Sequence, residues 1–579
     1  MYPYKAPLDD MEFLLDEVFD ANSSWKQFPY VQDNLDLETA SAILQQAATL
    51  SSDMLFPMNR AADEQGVSFA NGAVSTPKGF KSAYAEFAAG GWVGFCGDPQ
   101  FDGMGMPKML GVLVEEMNYS ASNSFTLYNS LTAGAALCIN AHANDELKQI
   151  YLPKMYSGEW SGAMAMTESG AGSDLSRIRT LATKQDDGSY LVSGSKIFIT
   201  AGEHDLTENI IHLVLTKTPN NNRLSLFLVP KVLPNKHENN RISAASIEHK
   251  MGIHASATCV MNYDDSVGFL VGEEGKGLSC MFTMMNYERL AIGIQGLGNT
   301  EMAYQMAAQY AKEREQGYRF DAETQKQVPC TLIHHADVRR MLLMIRCFAE
   351  AGRALAVYTG LQLDIAKFSN SEQQTLATKY SQLLTPVTKA FFTDRGLDMS
   401  VMAQQVFGGH GYIRETGIEQ IVRDTRIAQI YEGTNGIQAH DFLGRKIVSD
   451  NCVTLKTFID ELKLNMENFK VNAEKVVLLN QRFESLVSIA DNITQRSSSD
   501  SSIIGSNCVN YLDAFGYCIY GYFWLLMQHK SQPLANELTK SKQLLCDFYF
   551  SQILPKADAH ILQLQHTKDE VMTMPETFF

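Results

Sequence analysis

The first 160 residues place apolar side chains at the period of an amphipathic α-helix. Between residues 7 and 22 that period is formed by Met11, Leu14, Leu15, Val18 and Phe19. Similar patterns follow at 37–60, 76–89, 109–119 and 131–139. Apolar positions three and four residues apart form one face of a helix, and that face packs on a core. The pattern predicts an all-helical N-terminal domain at 1–160, beginning with an N-terminal extension.

The pattern changes after residue 160, where short runs rich in β-branched and aromatic residues replace the helical period. These runs lie at 190–192, 197–200, 210–216, 224–229 and 257–263. Such residues are enriched in strands, and turn-forming residues separate the runs. We therefore predict a middle β domain at 161–275, built as an antiparallel sheet.

The helical period returns after residue 275. It predicts a helical bundle at 276–450, interrupted by a hydrophilic surface segment at 316–329, and an additional helical domain at 451–579. The apolar stretch 509–527 contains Asp513 and several glycines and tyrosines, which favours a buried helix over a membrane span. The predicted fold class is mainly α, with a central antiparallel β domain and an appended C-terminal helical domain.

Composition and charge restrict the partners. The 579 residues are 45% hydrophobic and 20% charged, which is typical of a soluble globular protein. A net charge of −17 opposes non-specific attraction to nucleic acid or to an anionic membrane, so neither is expected as a partner. Residues 1–10 show neither an Arg-rich transit pattern nor the apolar core of a signal peptide, which favours the cytoplasm of a bacterial cell.

Several common chemistries lack their motifs. The ten cysteines include no CxxC pair and no His-Cys cluster at metal-binding spacing, so we expect free thiols and no metal site. The glycine groups at 293–298 and 408–411 follow no predicted strand, which argues against a Rossmann dinucleotide site. P-loop, HExxH and GxSxG motifs are absent from the sequence.

Four ordered segments carry a family resemblance. They read MAMTESGAGSD at 164–174, KIFIT at 196–200, QVFGGHGY at 405–412 and QIYEGT at 429–434. Agreement over so many ordered positions resembles the acyl-CoA dehydrogenases, flavoenzymes that desaturate acyl thioesters, from roughly residue 101 to 445. The length and the C-terminal extension resemble a long bacterial subgroup that includes 3-methylmercaptopropionyl-CoA and broad-range fatty acyl-CoA dehydrogenases.

The resemblance implies FAD as the cofactor and an acyl-CoA as the substrate. It implies flavin contacts at Met166, Thr167, Phe198, Thr200, Arg314, Gln316, Gln405, Gly408, Gly409, Thr434 and Gly436. The substrate side is implied at Ser173, Asn286, Arg289, Tyr431 and Gly433. In the family, the arginine corresponding to Arg314 reaches the flavin pyrophosphate across a subunit boundary. That correspondence implies a homodimer or a higher homo-oligomer.

Glu432, within QIYEGT, corresponds to the catalytic base of the family. Such a base removes the proton next to the thioester carbonyl while a hydride leaves the next carbon for flavin N5. A carboxylate with an ordinary pKa of about 4.3 is a weak base for that proton, so we expect water to be excluded when the acyl chain enters. Gly433 leaves room for the substrate to approach.

Three functions remain in consideration from the sequence. The first is a dehydrogenase that desaturates an acyl-CoA to the trans-2-enoyl-CoA and passes electrons to electron-transfer flavoprotein. The second is an acyl-CoA oxidase, which shares the fold and the base but reduces oxygen. The third is a catalytically idle acyl-CoA or flavin binding homologue, which the intact Glu432 disfavours.

Overall fold

The computed structural model describes residues 2–219, 221–234, 236, 238–369, 372–500, 502–565 and 570–579. In these ranges the α-helices are α1 (Leu8–Phe13), α2 (Ala21–Trp25), α3 (Val31–Asn34), α4 (Leu37–Thr49), α5 (Phe56–Gln65), α6 (Phe80–Ala89), α7 (Lys108–Ala121), α8 (Asn123–His142), α9 (Asp145–Tyr156), α10 (Gly277–Glu313), α11 (Ala336–Phe368), α12 (Glu372–Val406), α13 (Ile418–Arg426), α14 (Asn435–His440), α15 (Val453–Met466), α16 (Ala473–Ser497), α17 (Ser502–Ser531), α18 (Glu537–Phe548), α19 (Pro555–Gln565) and α20 (Glu570–Thr573). Segments of π-helix lie at Leu14–Val18, Leu50–Leu55, Asp441–Ile447 and Tyr549–Ile553.

The strands of the described chain fall mostly between residues 160 and 271. They are β1 (Ser68–Ala70), β2 (Ala73–Ser75), β3 (Trp160–Ala165), β4 (Leu181–Lys184), β5 (Tyr190–Thr200), β6 (Asn209–Thr218), β7 (Asn221–Pro230), β8 (Val232–Leu233), β9 (Glu238–Asn239), β10 (Ile242–Ile247), β11 (Thr258–Val271), β12 (Glu315–Asp321) and β13 (Lys326–Thr331). Helices therefore dominate on either side of a β domain, and the predicted fold class is confirmed.

The chain forms two compact units. The bundle unit contains Met1–Gln45, Lys108–Ser120 and Ile292–Phe579. The β-domain unit contains Gln46–Pro107 and Ala121–Ala291. Within the described ranges, none of the helices combines the length and the apolar character that crossing a lipid bilayer requires.

The main sheet of the β-domain unit has seven strands. Its order is β10-β11-β5-β4-β6-β3, and β7 pairs with both β11 and β6. Most pairs are antiparallel, as predicted, but β3 runs parallel to β6, with Ala163 opposite His212, and β4 runs parallel to β6. The sheet is therefore mixed rather than purely antiparallel. Strands that pair in parallel cannot be joined by a tight turn, so no short-range sequence signal marks such a pair.

A small hairpin in the β-domain unit departs from the predicted all-helical N-terminal domain. Strands β1 and β2 pair antiparallel, with Ala70 opposite Ala73. The turn residues Asn71 and Gly72 have φ values of +52° and +78°. An Asn-Gly pair favours this left-handed turn because its backbone twist matches that of the flanking strands. The helical expectation is wrong at this point.

The C-terminal extension belongs to the core of the bundle unit. Its apolar helix α17 packs against α11, α12 and α14, and Trp524 and Phe515 on it are fully buried. A Cβ added at Gly516 would lie 2.4 Å from the ring of Phe391 on α12, so the backbone of α17 approaches that ring closely. The stretch 509–527 is a buried helix, as the sequence predicts.

Buried ionised side chains join the two ends of the chain inside the bundle unit. The guanidinium of Arg353 on α11 donates to Glu116 at 2.6 Å, to Glu301 at 2.8 Å and to Asp10 on α1. The fully buried ammonium of Lys542 on α18 donates to the same Asp10 and to Glu350. Arg346 also donates to Glu350, at 2.5 Å, so three cations compensate these four buried carboxylates in the described chain. Such groups are strongly destabilising when one partner is lost, because the others stay buried without compensation.

The first prediction concerns this cluster. Lys542→Met should lower the free energy of unfolding of the bundle unit by about 3 kcal/mol or more, because Asp10 and Glu350 lose a buried counter-charge. Urea unfolding followed by circular dichroism measures the change. Lys540→Met is the matched control, since Lys540 on the same helix is 71% exposed and should shift the midpoint little. Equal midpoints for the two variants would contradict a stabilising role of the cluster.

The second prediction concerns acid sensitivity of the β-domain unit. Burial lowers the pKa of His204 and of His212 from 6.5 to about 3. In the unfolded chain both imidazoles become protonated below about pH 6.5, whereas in the folded unit they stay neutral down to about pH 3. The free energy of unfolding therefore falls as the pH drops through this window. Unfolding midpoints between pH 7.5 and 4.5 should decline less steeply in His212→Gln than in His249→Gln, an exposed control. Parallel declines would refute the assignment.

Candidate active site

Glu432 lies in a strained turn of the bundle unit. The turn follows α13 and ends where α14 begins, at the N-cap Thr434, whose hydroxyl accepts from the Ile437 N–H at 3.3 Å. The φ values of Glu432 and Gly433 are +56° and +81°. A left-handed glycine is common, but a left-handed glutamate is not, and such residues concentrate at functional sites. Gly433 suits its position because it carries no Cβ.

Helix α12 binds the residues that follow Glu432. The ammonium of Lys389, which is fully buried, donates to the Gly433 carbonyl and to the Asn435 side-chain carbonyl, each at 2.8 Å. The Asn435 amide in turn donates to Asp394 at 2.7 Å. One helix thus supplies both a cation and a carboxylate to the residues that follow Glu432.

Further side chains fix the rest of the turn. The Gln438 amide donates to the Glu432 carbonyl at 3.0 Å, and the Gln429 amide donates to Asp394 at 2.6 Å. The Tyr431 hydroxyl donates to Gln295 on α10. The side chain of Glu432 itself is half-buried. The turn therefore holds a carboxylate at the edge of the unit on a backbone whose carbonyls are already bound.

Sequence reasoning missed these supporting residues. Lys389 does carry a visible signal, since it is the one charged residue in the otherwise uncharged stretch 383–392. A lysine in such a helix is buried only when acceptors compensate its charge. The acceptors themselves lie more than forty positions further along the chain, and no local pattern indicates them.

The predicted flavin segment at Gln405, Gly408 and Gly409 is open on the surface of the bundle unit. All three residues are exposed, and Gly408 has a φ of +58°. A Cβ added at Gly408 or Gly409 would meet no atom within 4 Å, and one added at Gly436 would meet only Thr434 Oγ1 at 4.0 Å. Packing within the described chain does not require glycine there. The bare backbone suits close approach by a ligand, including a phosphate.

Arg314 immediately precedes an ordered hairpin of the bundle unit, and Gln316 lies in its first strand, β12. Both side chains are exposed, and the Gln316 carbonyl accepts from His335 Nε2 at 2.7 Å. The predicted surface segment 316–329 lies in strands β12 and β13, which pair antiparallel. The segment lies at the surface as expected, but its β structure was not predicted.

The β-domain unit brings the other predicted flavin segments together. Met166 and Thr167 follow β3, and the Thr167 carbonyl accepts from the Ile197 N–H of β5 at 2.9 Å. Phe198, next along β5, is 59% exposed with a φ of +57°. Thr200 ends the same strand and is half-buried. A large exposed ring suits stacking against a planar ligand.

Lys196 supports this loop from beneath. Its fully buried ammonium donates to the Met166 carbonyl at 3.1 Å, to Glu168 at 2.8 Å and to the Leu215 carbonyl at 2.7 Å. Burial lowers the pKa of Lys196 to about 8. Burial acts to raise the pKa of Glu168, but hydrogen bonds from Lys196 and Thr180 hold that pKa below its ordinary value. The loop after β3 thus rests on an ion pair.

The predicted substrate contacts of the β-domain unit are in two places. Ser173 is exposed in the loop after β3, where a Cβ added at Gly170 or Gly172 would meet no atom within 4 Å. Asn286 and Arg289 lie on one face of α10, as their spacing predicts, and Arg289 donates to Asn286 at 3.2 Å. Asn286 is exposed, whereas Arg289 is buried with its guanidinium carbon 5.9 Å from the centre of the Phe282 ring.

The predicted site residues therefore lie in several places within each unit. In the bundle unit, Tyr431, Glu432, Gly433 and Thr434 share the turn, and Gly436 follows in the first turn of α14. In the β-domain unit, the residues after β3 adjoin those at the end of β5. In the β-domain unit, the exposed Phe198 ring fits a planar ring such as that of a flavin. In the bundle unit, the open backbones of Gly408 and Gly409 fit phosphate groups.

Comparison with known families covers nearly the whole chain. Residues 38–159, 163–266 and 275–446 match the family models described as the N-terminal, middle and C-terminal domains of acyl-CoA dehydrogenase. Residues 454–575 match the model described as acetyl-CoA dehydrogenase C-terminal like. Helix α17 and the other helices of the C-terminal extension fall within this last match.

Individual relatives agree with the family models. The chain is 38% identical to 3-methylmercaptopropionyl-CoA dehydrogenase of Ruegeria pomeroyi, over 98% of this chain and 99% of that protein. It is 32% identical to a butyryl-CoA dehydrogenase of Syntrophomonas wolfei, over 100% and 99%. A crystal structure of acyl-CoA dehydrogenase complexed with FAD from Bacillus anthracis has the same fold, with a TM-score of 0.77, 21% identity and coverage of 97% and 93%.

These matches confirm the family that the sequence motifs indicate, together with its enzyme class and cofactor. The agreement extends over both units and over the C-terminal extension. The chain belongs to the acyl-CoA dehydrogenase family of FAD-dependent oxidoreductases.

Proposed function

We propose that this protein desaturates an acyl-CoA thioester to the trans-2-enoyl-CoA, with Glu432 as the base that takes the α-proton. The left-handed turn that holds the half-buried Glu432 carboxylate is the observation that carries the proposal. Such a turn costs free energy, and the surrounding hydrogen bonds keep it in place, which is common where a side chain must be aimed at a reacting group. Bound FAD would accept the β-hydride at its N5 atom.

The remaining site residues have proposed roles in binding. We assign the cofactor to Met166, Thr167, Phe198, Thr200, Arg314, Gln316, Gln405, Gly408, Gly409, Thr434 and Gly436. We assign the acyl-CoA to Ser173, Asn286, Arg289, Tyr431 and Gly433. The exposed Phe198 ring and the open backbones of Gly408 and Gly409 support the cofactor assignment.

Within this proposal the chain has three tasks. The aromatic and glycine positions bind and orient the planar cofactor. The turn holds the Glu432 carboxylate beside the substrate α-carbon, where it takes the proton. Gln438 binds the Glu432 carbonyl and Lys389 binds the Gly433 carbonyl, which fixes the peptide planes that contain the Gly433 and Thr434 N–H groups. Backbone N–H groups of the turn are proposed to polarise the thioester carbonyl.

Organisation and setting complete the proposal. We propose the domain division 1–160, 161–275, 276–450 and 451–579, which the ranges of the four family matches support. We also propose a homodimer or a higher homo-oligomer, with the exposed Arg314 directed to a neighbouring copy's cofactor. A bacterial cytoplasmic location is supported by ten free cysteines, nine of them buried.

The third prediction tests the base. Glu432→Gln should bind FAD and acyl-CoA with unchanged affinity and reduce the flavin about 10²- to 10⁴-fold more slowly, because the amide cannot take a proton. Anaerobic stopped-flow absorbance at the flavin band measures the rate. Glu415→Gln, an exposed carboxylate of the same unit, is the control and should keep the wild-type rate. Wild-type bleaching by Glu432→Gln would exclude Glu432 as the base.

Acyl chains of several lengths are needed for this measurement. The names of the two relatives denote CoA thioesters of short acyl groups. Short acyl-CoA esters, including the 3-methylthio ester, are therefore the first substrates to test, followed by medium and long chains.

The fourth prediction concerns the electron acceptor. We propose that electrons leave to electron-transfer flavoprotein rather than to oxygen, since both relatives are named dehydrogenases and not oxidases. Turnover with that acceptor should exceed turnover in air, and oxygen consumption should account for little of the enoyl-CoA formed. An oxygen electrode and a hydrogen peroxide assay measure this. Hydrogen peroxide formed in equal amount to enoyl-CoA, at the same rate, would instead identify an acyl-CoA oxidase.

A further inference from the structure

We propose that Lys389 is a positioning residue for Glu432. Its ammonium fixes the backbone of the turn, so that proton transfer depends on a lysine that acts through the turn. The inference rests on the proposed function, because it presupposes Glu432 as the base. The turn and every residue that the inference uses lie in the bundle unit.

The burial of Lys389 requires acceptors, and the turn provides them. The ammonium is fully buried in α12, where it would be costly without hydrogen bonds. The ammonium donates to the Gly433 carbonyl in the turn and to the Asn435 side chain at the start of α14. Hydrogen bonds from a cation are shorter and stronger than neutral ones. The segment that carries Glu432 therefore provides acceptors for the buried Lys389 ammonium.

A carboxylate balances this cation through an amide. Asn435 accepts from Lys389 through its carbonyl oxygen and donates to Asp394 through its nitrogen at 2.7 Å. Asp394 also accepts from Gln429, three residues before Glu432. The turn is therefore hydrogen-bonded on both sides of the base, to Asp394 before it and to Lys389 after it. Such a network resists displacement of the turn in either direction.

The bonds act on the part of the backbone that sets the direction of the Glu432 side chain. A peptide unit is planar, so a bound carbonyl oxygen also fixes the opposing N–H. Gln438 binds the Glu432 carbonyl and Lys389 binds the Gly433 carbonyl. Without Lys389, Gly433 is free to leave its φ of +81°, and Glu432 can relax from +56° into a more favourable region. Either change moves the carboxylate.

The test measures proton transfer separately from hydride transfer. The probe is 3-thiabutanoyl-CoA, in which sulfur acidifies the α-proton and replaces the carbon that would give up hydride. Its deprotonation on FAD-loaded protein is followed by the long-wavelength absorption of an enolate stacked on oxidised flavin. Variants are Lys389→Met, which keeps the chain length without the charge, and Lys389→Arg, which keeps the charge. Lys542→Met is the matched control, since Lys542 is also fully buried in the same unit.

We expect Lys389→Met to slow formation of the band about 10- to 100-fold, as small displacements of reacting groups do, with the probe's Kd changed less than about 3-fold. Lys389→Arg should recover most of the rate. Lys542→Met should lose thermal stability but keep the wild-type rate at a temperature where it is folded. If Lys389→Met yields no folded protein, Asn435→Ala replaces it, because that change removes one acceptor and the link to Asp394, and it should show the same slowing.

The outcomes separate the inference from the proposed function. Band formation at the wild-type rate in Lys389→Met, or in its replacement Asn435→Ala, would overturn the inference. Slow band formation in Glu432→Gln would at the same time leave the proposed function intact. Equal slowing in Lys542→Met, or an increase in Kd that accounts for the slowing, would also overturn it. Band formation at the wild-type rate by Glu432→Gln would instead reject Glu432 as the base, which is the failure of the proposed function.

Discussion

A buried ammonium group must be hydrogen-bonded, and this requirement shapes the candidate site in both units. Lys389 meets it with the Gly433 carbonyl, and Lys196 meets it with the Met166 carbonyl. In each case one of the acceptors lies in a loop that carries family motifs. The core of each unit therefore contains a buried charged side chain that donates to a loop of the candidate site.

The buried lysines allow loops, which are otherwise mobile, to hold site residues in fixed positions. Loops carry binding and catalytic residues but lack the regular hydrogen bonds that keep helices and strands rigid. A cation-assisted bond to a loop carbonyl supplies rigidity without an added side chain at the ligand surface. It also tolerates a backbone conformation that sterics disfavour, such as the left-handed Glu432. The cost is a buried charge that destabilises the unit when its acceptors move.

The sequence predicts the parts of the fold that local patterns determine. The helical period, the strand runs and the buried character of 509–527 all follow from neighbouring residues, and the structure agrees with them. The parallel pairing of β3 with β6 depends on partners distant in sequence, so alternation of residue types cannot indicate it. The Asn71-Gly72 turn is different, because its signal is local but lies between two helical patterns.

The same distinction applies to the site. Glu432 and the segments after β3 and along β5 can be found because they belong to ordered motifs. Lys389, Asn435 and Asp394 act through contacts between α12 and a turn more than forty residues later. A lone lysine in an uncharged helical stretch indicates that acceptors exist, but only the folded chain identifies them. Residues that position a site are therefore harder to predict than residues that form it.

Chemical labelling tests most directly whether the turn presents the base. A 3-alkynoyl-CoA that loses its α-proton rearranges to a 2,3-dienoyl thioester, which reacts with a carboxylate close to carbon 3. Peptide mass spectrometry of the FAD-loaded protein should then find the acyl adduct on Glu432. An adduct on another residue, or rapid α-proton exchange with no adduct on Glu432, would contradict the account.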